Sequence, residues 1–124
     1  VGMQLLASRG LECGETPGLG WIEGAVRRVE PADPSAKIPH MGWNNLISLS
    51  GPPLVSEIGE APMYFTHSFA FYPTDESDVA AYVDHGGKFP AAVAKGNVAG
   101  VQFHPEKSQS AGLALLARFL EWRP

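Results

Sequence analysis

An α/β or α+β fold is predicted by three features of the sequence. Short β-branched and aromatic segments fill the second half of the chain, glycines and prolines stand between them, and a segment of helical apolar spacing closes it. Composition agrees with a single folded unit: 124 residues, 44% hydrophobic and 18% charged, can bury a modest core. Fourteen glycines and eleven prolines are many for this length and mark a loop-rich chain.

Taken in order, Val1–Ser8 carries Met3, Leu5 and Leu6 without β-branched crowding after the first position and reads as a helix that starts at once. Gly14–Trp21 is turn chemistry, Gly24–Glu30 alternates as a strand does, and Pro31–Asn44 reads as a loop. Pro62–Pro73, Val79–His85, Pro90–Gly96 and Val98–His104 read as strands of one sheet. Ser110–Trp122 repeats apolar residues at 113, 115, 116, 119 and 120, with Ser110 as N-cap, and is expected to lay its Leu and Phe face on that sheet. No internal repeat or interdomain linker interrupts the chain.

Charge and cysteine content narrow the function classes. The net charge is -4 and the nine basic residues are scattered, so neither nucleic acid nor an anionic membrane is an expected partner. No apolar run reaches membrane-spanning length, and the single Cys13 has no partner for an internal disulfide, which fits a reducing cytoplasm. The four histidines, at 40, 67, 85 and 104, include no close pair in sequence, so no metal site is expected; His85 reads as an isolated surface residue. Gly18–Gly24 only approximates a dinucleotide fingerprint and lies outside a strand-to-helix turn, so no cofactor is expected either. The chain starts at Val1, not at methionine, and is expected to be a fragment of a longer domain.

The chemistry concentrates in Val101–Ser108, V-Q-F-H-P-E-K-S. Residues i and i+2 of an extended segment point to the same side, so Glu106 can orient His104 as the base of a nucleophilic dyad or triad. A surface loop with an incidental H-x-E satisfies the same letters. The nucleophile is missing. Cys13 follows the first helix instead of opening one, where a helix N-terminus would lower its pKa, and Ser48, Ser50, Ser68 and Ser108 lack a G-x-S-x-G setting. The abrupt helix V-G-M-Q-L-L offers another solution, because Gly2 stands where a nucleophile elbow needs a small residue two positions after the nucleophile. That nucleophile would immediately precede Val1.

With V-G-M-Q at one end and H-P-E at the other, the chain resembles the class I glutamine amidotransferases, whose elbow reads G-x-C-x-G-x-Q and whose remaining triad members come from an H-P-E segment. The resemblance implies an α/β unit, the C-terminal part of a flavodoxin-like fold with a mixed central sheet and flanking helices, residues 1–124 being a partial domain that lacks its N-terminal portion. Within the family, Lys37–Asn44 (K-I-P-H-M-G-W-N), Tyr64–Phe71 and Gly100–Leu120 are most similar to the glutaminase subunits of imidazole glycerol phosphate synthase, in histidine biosynthesis. Phe69 stands where those relatives often carry tyrosine, and Cys13–Leu19 is glycine-rich in its own way.

The resemblance implies roles residue by residue. His104 is base and then acid, Glu106 orients it, and the backbone N–H of Val1 supplies half of an oxyanion hole. Gln4 and Glu12 match contacts to the glutamine substrate, and the backbone around His67, Ser68 and Phe69 matches the wall that holds its carboxylate. The implied partner is a (β/α)8 cyclase subunit, with His40, Met41, Trp43, Asn44 and Lys107 facing it. Read without the resemblance, Gln4 and Glu12 are equally ordinary surface residues, and His40 and Trp43 are either loop packing or an interface anchor. Two other readings stay open: a noncatalytic binding or scaffold homologue, and the glutaminase component of another class I amidotransferase.

Overall fold

The computed structural model describes residues 1–124. Its strands sort into two sheets. The first contains β1 (Arg9–Gly10), β2 (Thr16–Pro17), β3 (Gly24–Arg28) and β6 (Phe69–Pro73) in the order β2-β1-β3-β6, with β1 parallel to β3 and the other pairs antiparallel. The second is antiparallel throughout: β4 (His40–Ile47), β5 (Pro62–His67), β7 (Val79–Asp84), β8 (Lys88–Lys95) and β9 (Val98–Val101), in the order β5-β4-β7-β8-β9. Three short or flanking helices complete the α/β unit: α1 (Gly2–Leu5), α2 (Pro53–Ser56) and α3 (Gln109–Glu121). None is long and apolar enough to cross a membrane.

Several local expectations are corrected. Pro62–Pro73 is not one strand: the chain breaks at Ser68, whose carbonyl accepts from Val29 N–H, and β5 and β6 enter different sheets. The expected loop 31–44 ends at Pro39, because His40–Ile47 pairs with β5 along six residues and with β7 beyond them. Its glycine and asparagines have weak strand propensity, and ladder pairing with β5 overrides it. The first helix stops at Leu5, three residues early, because the carbonyls of Leu5, Leu6, Ala7 and Ser8 are taken by the N–H groups of Leu19, Ile22, Gly20 and Gly18. Gly18 approaches so closely that a Cβ there would stand 2.2 Å from the Ala7 carbonyl oxygen.

Two clusters form the interior. The larger gathers Leu46, Met63, Phe65, Val83, Phe103 and Leu115 with their neighbours, and the smaller packs Met3, Leu6 and Ala7 against Ile22, Val26, Phe71 and Val93. Strand β5 alternates inward and outward, while β8 is buried from Phe89 to Val93 because both of its faces are covered. Each fully buried Phe stabilises the fold by about 1.5–3 kcal/mol.

Helix α3 departs from expectation twice. Its N-cap is Ser108, not Ser110, and the Ser108 hydroxyl serves other partners instead of the helix. The helix meets the body through Ala111, Gly112, Leu115 and Trp122, whereas Leu113, Leu116, Phe119 and Leu120 stay exposed. Apolar spacing places these residues on an arc wider than the body covers, so the expected packing of the whole Leu and Phe face is not found.

Candidate functional site

Strand β9 and the segment after it deliver His104. Gln102 N–H bonds to Ala91 O, His104 N–H bonds to Tyr64 O at 3.0 Å, and a single 3₁₀ turn, Pro105–Lys107, follows. The turn is held by Ser108, buried at 1% exposure, whose hydroxyl donates to the His104 carbonyl at 2.7 Å and accepts from Tyr64 N–H at 3.0 Å. Gly112 of α3 lies against the same turn; a Cβ there would fall 1.8 Å from the Pro105 carbonyl oxygen. Helix, turn and strand therefore fix the His104 backbone from three directions.

The side chains of His104 and Glu106 meet, Nδ1 and Oε1 being 2.8 Å apart, but across a 3₁₀ turn and not along the extended segment that the i, i+2 argument assumed. An ionised carboxylate only accepts, so Nδ1 donates, and in the neutral imidazole it is Nε2 that carries the lone pair. Hydrogen bonding to its own backbone N–H, and then to His104, holds the Glu106 carboxyl below the usual carboxylate range. The imidazole is partly exposed, with Nε2 available to a reacting group.

Helix α1 is tied to this segment through Gln4. Its amide nitrogen donates to Gln102 Oε1 and to the Phe69 carbonyl, both at 3.1 Å, which occupies both amide protons and leaves the oxygen for any ligand. Val1, Gln4, Arg9, Glu12 and Gly18 line an open cleft of about 320 Å³. Glu12 is exposed there, and a Cβ at Gly2 would meet open space. Neither His104 nor His67–Phe69 lines this cleft, but the Gln4 bonds tie α1 to Phe69 and to Gln102, two residues before His104.

The segment His67–Ser68–Phe69 is the crossing between the sheets. His67 Nδ1 bonds to Phe69 O at 2.9 Å and His67 Nε2 lies 2.9 Å from His40 Nδ1. Though distant in sequence, the two rings meet because antiparallel register sets His40 opposite His67 across a 27-residue separation. The reading of His85 as isolated is corrected: it stacks on His40 at 4.3 Å and bonds to the Lys37 carbonyl. Burial, with the neighbouring imidazoles His67 and His85, lowers the His40 pKa to about 4; burial likewise lowers that of His67.

The expectation that His40 faces a partner is corrected: strand alternation turns it inward, at 3% exposure, while Met41 and Trp43 point out at 63% and 49%. The Trp43 ring meets Tyr64 edge-on at 5.7 Å, and the Lys107 ammonium stands 6.0 Å from the Tyr64 ring. Trp43, Tyr64 and Lys107 make a strip that ends beside His104, whose N–H the Tyr64 carbonyl accepts. Tyr64, Gln102 and Ser108 were not singled out as site residues by the sequence reading. All three lie in segments the sequence reading quoted, Tyr64–Phe71 and Val101–Ser108, but nothing in the letters assigns them a role. Cys13 is exposed, with φ 54°, outside any helix.

Comparison with known proteins adds to this geometry. The family model for Glutamine amidotransferase class-I matches residues 1–122. Imidazole glycerol phosphate synthase subunit HisH of Caulobacter vibrioides is 62% identical over 125 residues, covering 100% of this chain and 59% of that protein. The subunits of that name from Zymomonas mobilis subsp. mobilis and Azospirillum brasilense are 56% and 54% identical, covering 100% and 98% of this chain and 57% and 64% of their own lengths. The chain thus spans roughly three fifths of the curated relatives it matches. Residues 1–122 and the His104–Glu106 pair together place it: the chain belongs to the class I glutamine amidotransferase family.

Proposed function

We propose that this chain is the C-terminal part of a glutaminase domain that hydrolyses glutamine and passes the ammonia to the cyclase subunit of imidazole glycerol phosphate synthase. The observation that carries the reading is the His104 Nδ1 to Glu106 Oε1 bond of 2.8 Å, which leaves Nε2 basic and exposed. The names of the relatives, all subunits of that synthase, support the pathway.

In this reading a cysteine immediately before Val1 supplies the nucleophile. His104 Nε2 takes the thiol proton, and the sulfur attacks the glutamine carboxamide carbon. Charge builds on the carbonyl oxygen, where Val1, an amide in the parent chain, offers its N–H. The C–N bond then breaks as His104 returns the proton to nitrogen, releasing ammonia and leaving a γ-glutamyl thioester. Water, deprotonated by His104, cleaves the thioester to glutamate and restores the thiol. Glu106 stays ionised throughout and holds the imidazole in the tautomer with its proton on Nδ1.

Glutamine lies along α1 in this reading, near the Gln4 oxygen and Glu12, with its carboxylate against the backbone of His67–Phe69. Met41, Trp43 and Lys107 turn toward the cyclase barrel, while Asn44 faces His40 on the other side of the strand. Direct delivery matters because water at neutral pH protonates ammonia and removes its lone pair. The test is glutamine hydrolysis by the full-length parent mixed with its cyclase. Turnover that rises when the cyclase binds its own ligand, and that His104→Ala abolishes, is expected. Hydrolysis untouched by His104→Ala contradicts the reading.

A further inference from the structure

We infer that His40 and His67 form a one-way hydrogen-bond relay that positions the His67–Phe69 wall and the Gln4 amide, so that strand β4 sets how tightly the site holds its substrate. The identity of that substrate rests on the glutaminase reading; the relay itself rests on the geometry.

The direction follows from the two ends. The Phe69 carbonyl can only accept, so His67 Nδ1, 2.9 Å away, carries a proton. A neutral imidazole has one N–H, which makes His67 Nε2 an acceptor and His40 Nδ1, at 2.9 Å, its donor. His40 Nε2 is then an acceptor, facing Asn44 Nδ2 at 3.3 Å. The Asn44 amide is independently oriented: Nδ2 donates to Asp84 O at 2.8 Å while Oδ1 accepts from Asn45 N–H at 2.9 Å. Every donor from Asn44 to Phe69 therefore points one way.

A proton added to either ring breaks the sequence, because two N–H groups would then face each other. Neither ring hydrogen-bonds to a carboxylate. His40 is sandwiched between Phe65, at 4.8 Å, and His85, at 4.3 Å; His85 Nε2 is spent on the Lys37 carbonyl, and the Asp84 carboxylate is taken by Gly87 N–H. Burial keeps both rings neutral near pH 7.

At its far end the relay reaches the site. The Phe69 carbonyl accepts from both His67 and Gln4, and Gln4 bonds onward to Gln102, two residues before His104. At its near end it is built into β4, where Met41 and Trp43 are exposed between His40 and Asn44. Pressure on those two side chains acts on the strand that supplies the first two members. His40 and His67 are positioning residues here, acting on substrate through the Phe69 carbonyl and Gln4.

The test uses the full-length parent with its cyclase. His40→Phe keeps a ring between Phe65 and His85 but removes the donor to His67. We expect KM for glutamine to rise about tenfold with kcat little changed, and His40→Gln, whose amide can donate, to restore most of it. A merely structural role would lower the active fraction and so kcat, leaving KM where it was. Imidazole ¹⁵N spectra of the unaltered parent at about pH 7 should show both rings in the Nδ1–H tautomer, although free histidine favours Nε2–H. Nε2–H tautomers, or an unchanged KM in His40→Phe, overturn the relay. If the unaltered parent hydrolyses no glutamine, the glutaminase reading fails by itself and the tautomer spectrum still decides the relay.

Discussion

Glu106 Oε1 accepts a 2.8 Å hydrogen bond from His104 Nδ1 across the single turn of Pro105, and the imidazole is thereby committed to presenting a basic Nε2. Glu106→Gln in the full-length parent loses that commitment, since an amide can donate to the ring as well as accept. Because Glu106 is exposed, folding should not change while kcat falls by roughly a hundredfold to ten-thousandfold. Steady-state kinetics beside a thermal melt separate the two effects; unchanged kcat would remove Glu106 from the triad.

Ser108 sits beneath this pair and joins β5 to the His104 backbone. Ser108→Ala strands the Tyr64 N–H in a buried position and should cost about 1–3 kcal/mol of stability. Urea denaturation of the full-length protein measures it. Loss of the bond to the His104 carbonyl should also lower kcat severalfold, so a variant with wild-type stability and rate would show that the clamp is idle.

Acid sensitivity should originate in the buried histidines. His40 and His67 both have folded-state pKa values below the unfolded one, so the unfolded chain binds more protons and stability falls as pH drops. The contribution is fully present above the ordinary value of 6.5 and declines toward about 4, the His40 value. Denaturation midpoints across that window should fall in the unaltered protein and fall less in His40→Phe. A flat profile would mean that the rings titrate freely.

Lys107 ends the exposed strip formed with Tyr64 and Trp43. Lys107→Ala should leave folding intact and reduce the stimulation of glutamine hydrolysis by the occupied cyclase, read as the ratio of rates with and without the cyclase ligand. Full stimulation in the variant would place the partner elsewhere.

What could be read from the chain depended on distance in sequence. The His104–Glu106 contact is local, set by two residues and a proline, and so was legible in the letters H-P-E, although the 3₁₀ turn that makes it was not. The extent of α3 was legible for the same reason, but not which residues it buries: periodicity assigns Leu113 and Leu115 to faces without saying what covers each face. The His40–His67 pair was invisible because it depends on β4 being a strand in register with β5, and H-M-G-W-N-N has few strand-forming residues. The early end of α1 was hidden similarly, since Gly18–Ile22 returns to take its carbonyls.

Covalent capture tests the proposed chemistry most directly. The full-length parent is treated with a glutamine analogue bearing an electrophile in place of the carboxamide, and the modified residue is located by peptide mass spectrometry. We predict one adduct, on a cysteine immediately preceding Val1, blocked by excess glutamine and slowed strongly by His104→Ala. An adduct on Cys13 instead, or none at any residue next to Val1, would contradict a triad built on His104 and Glu106.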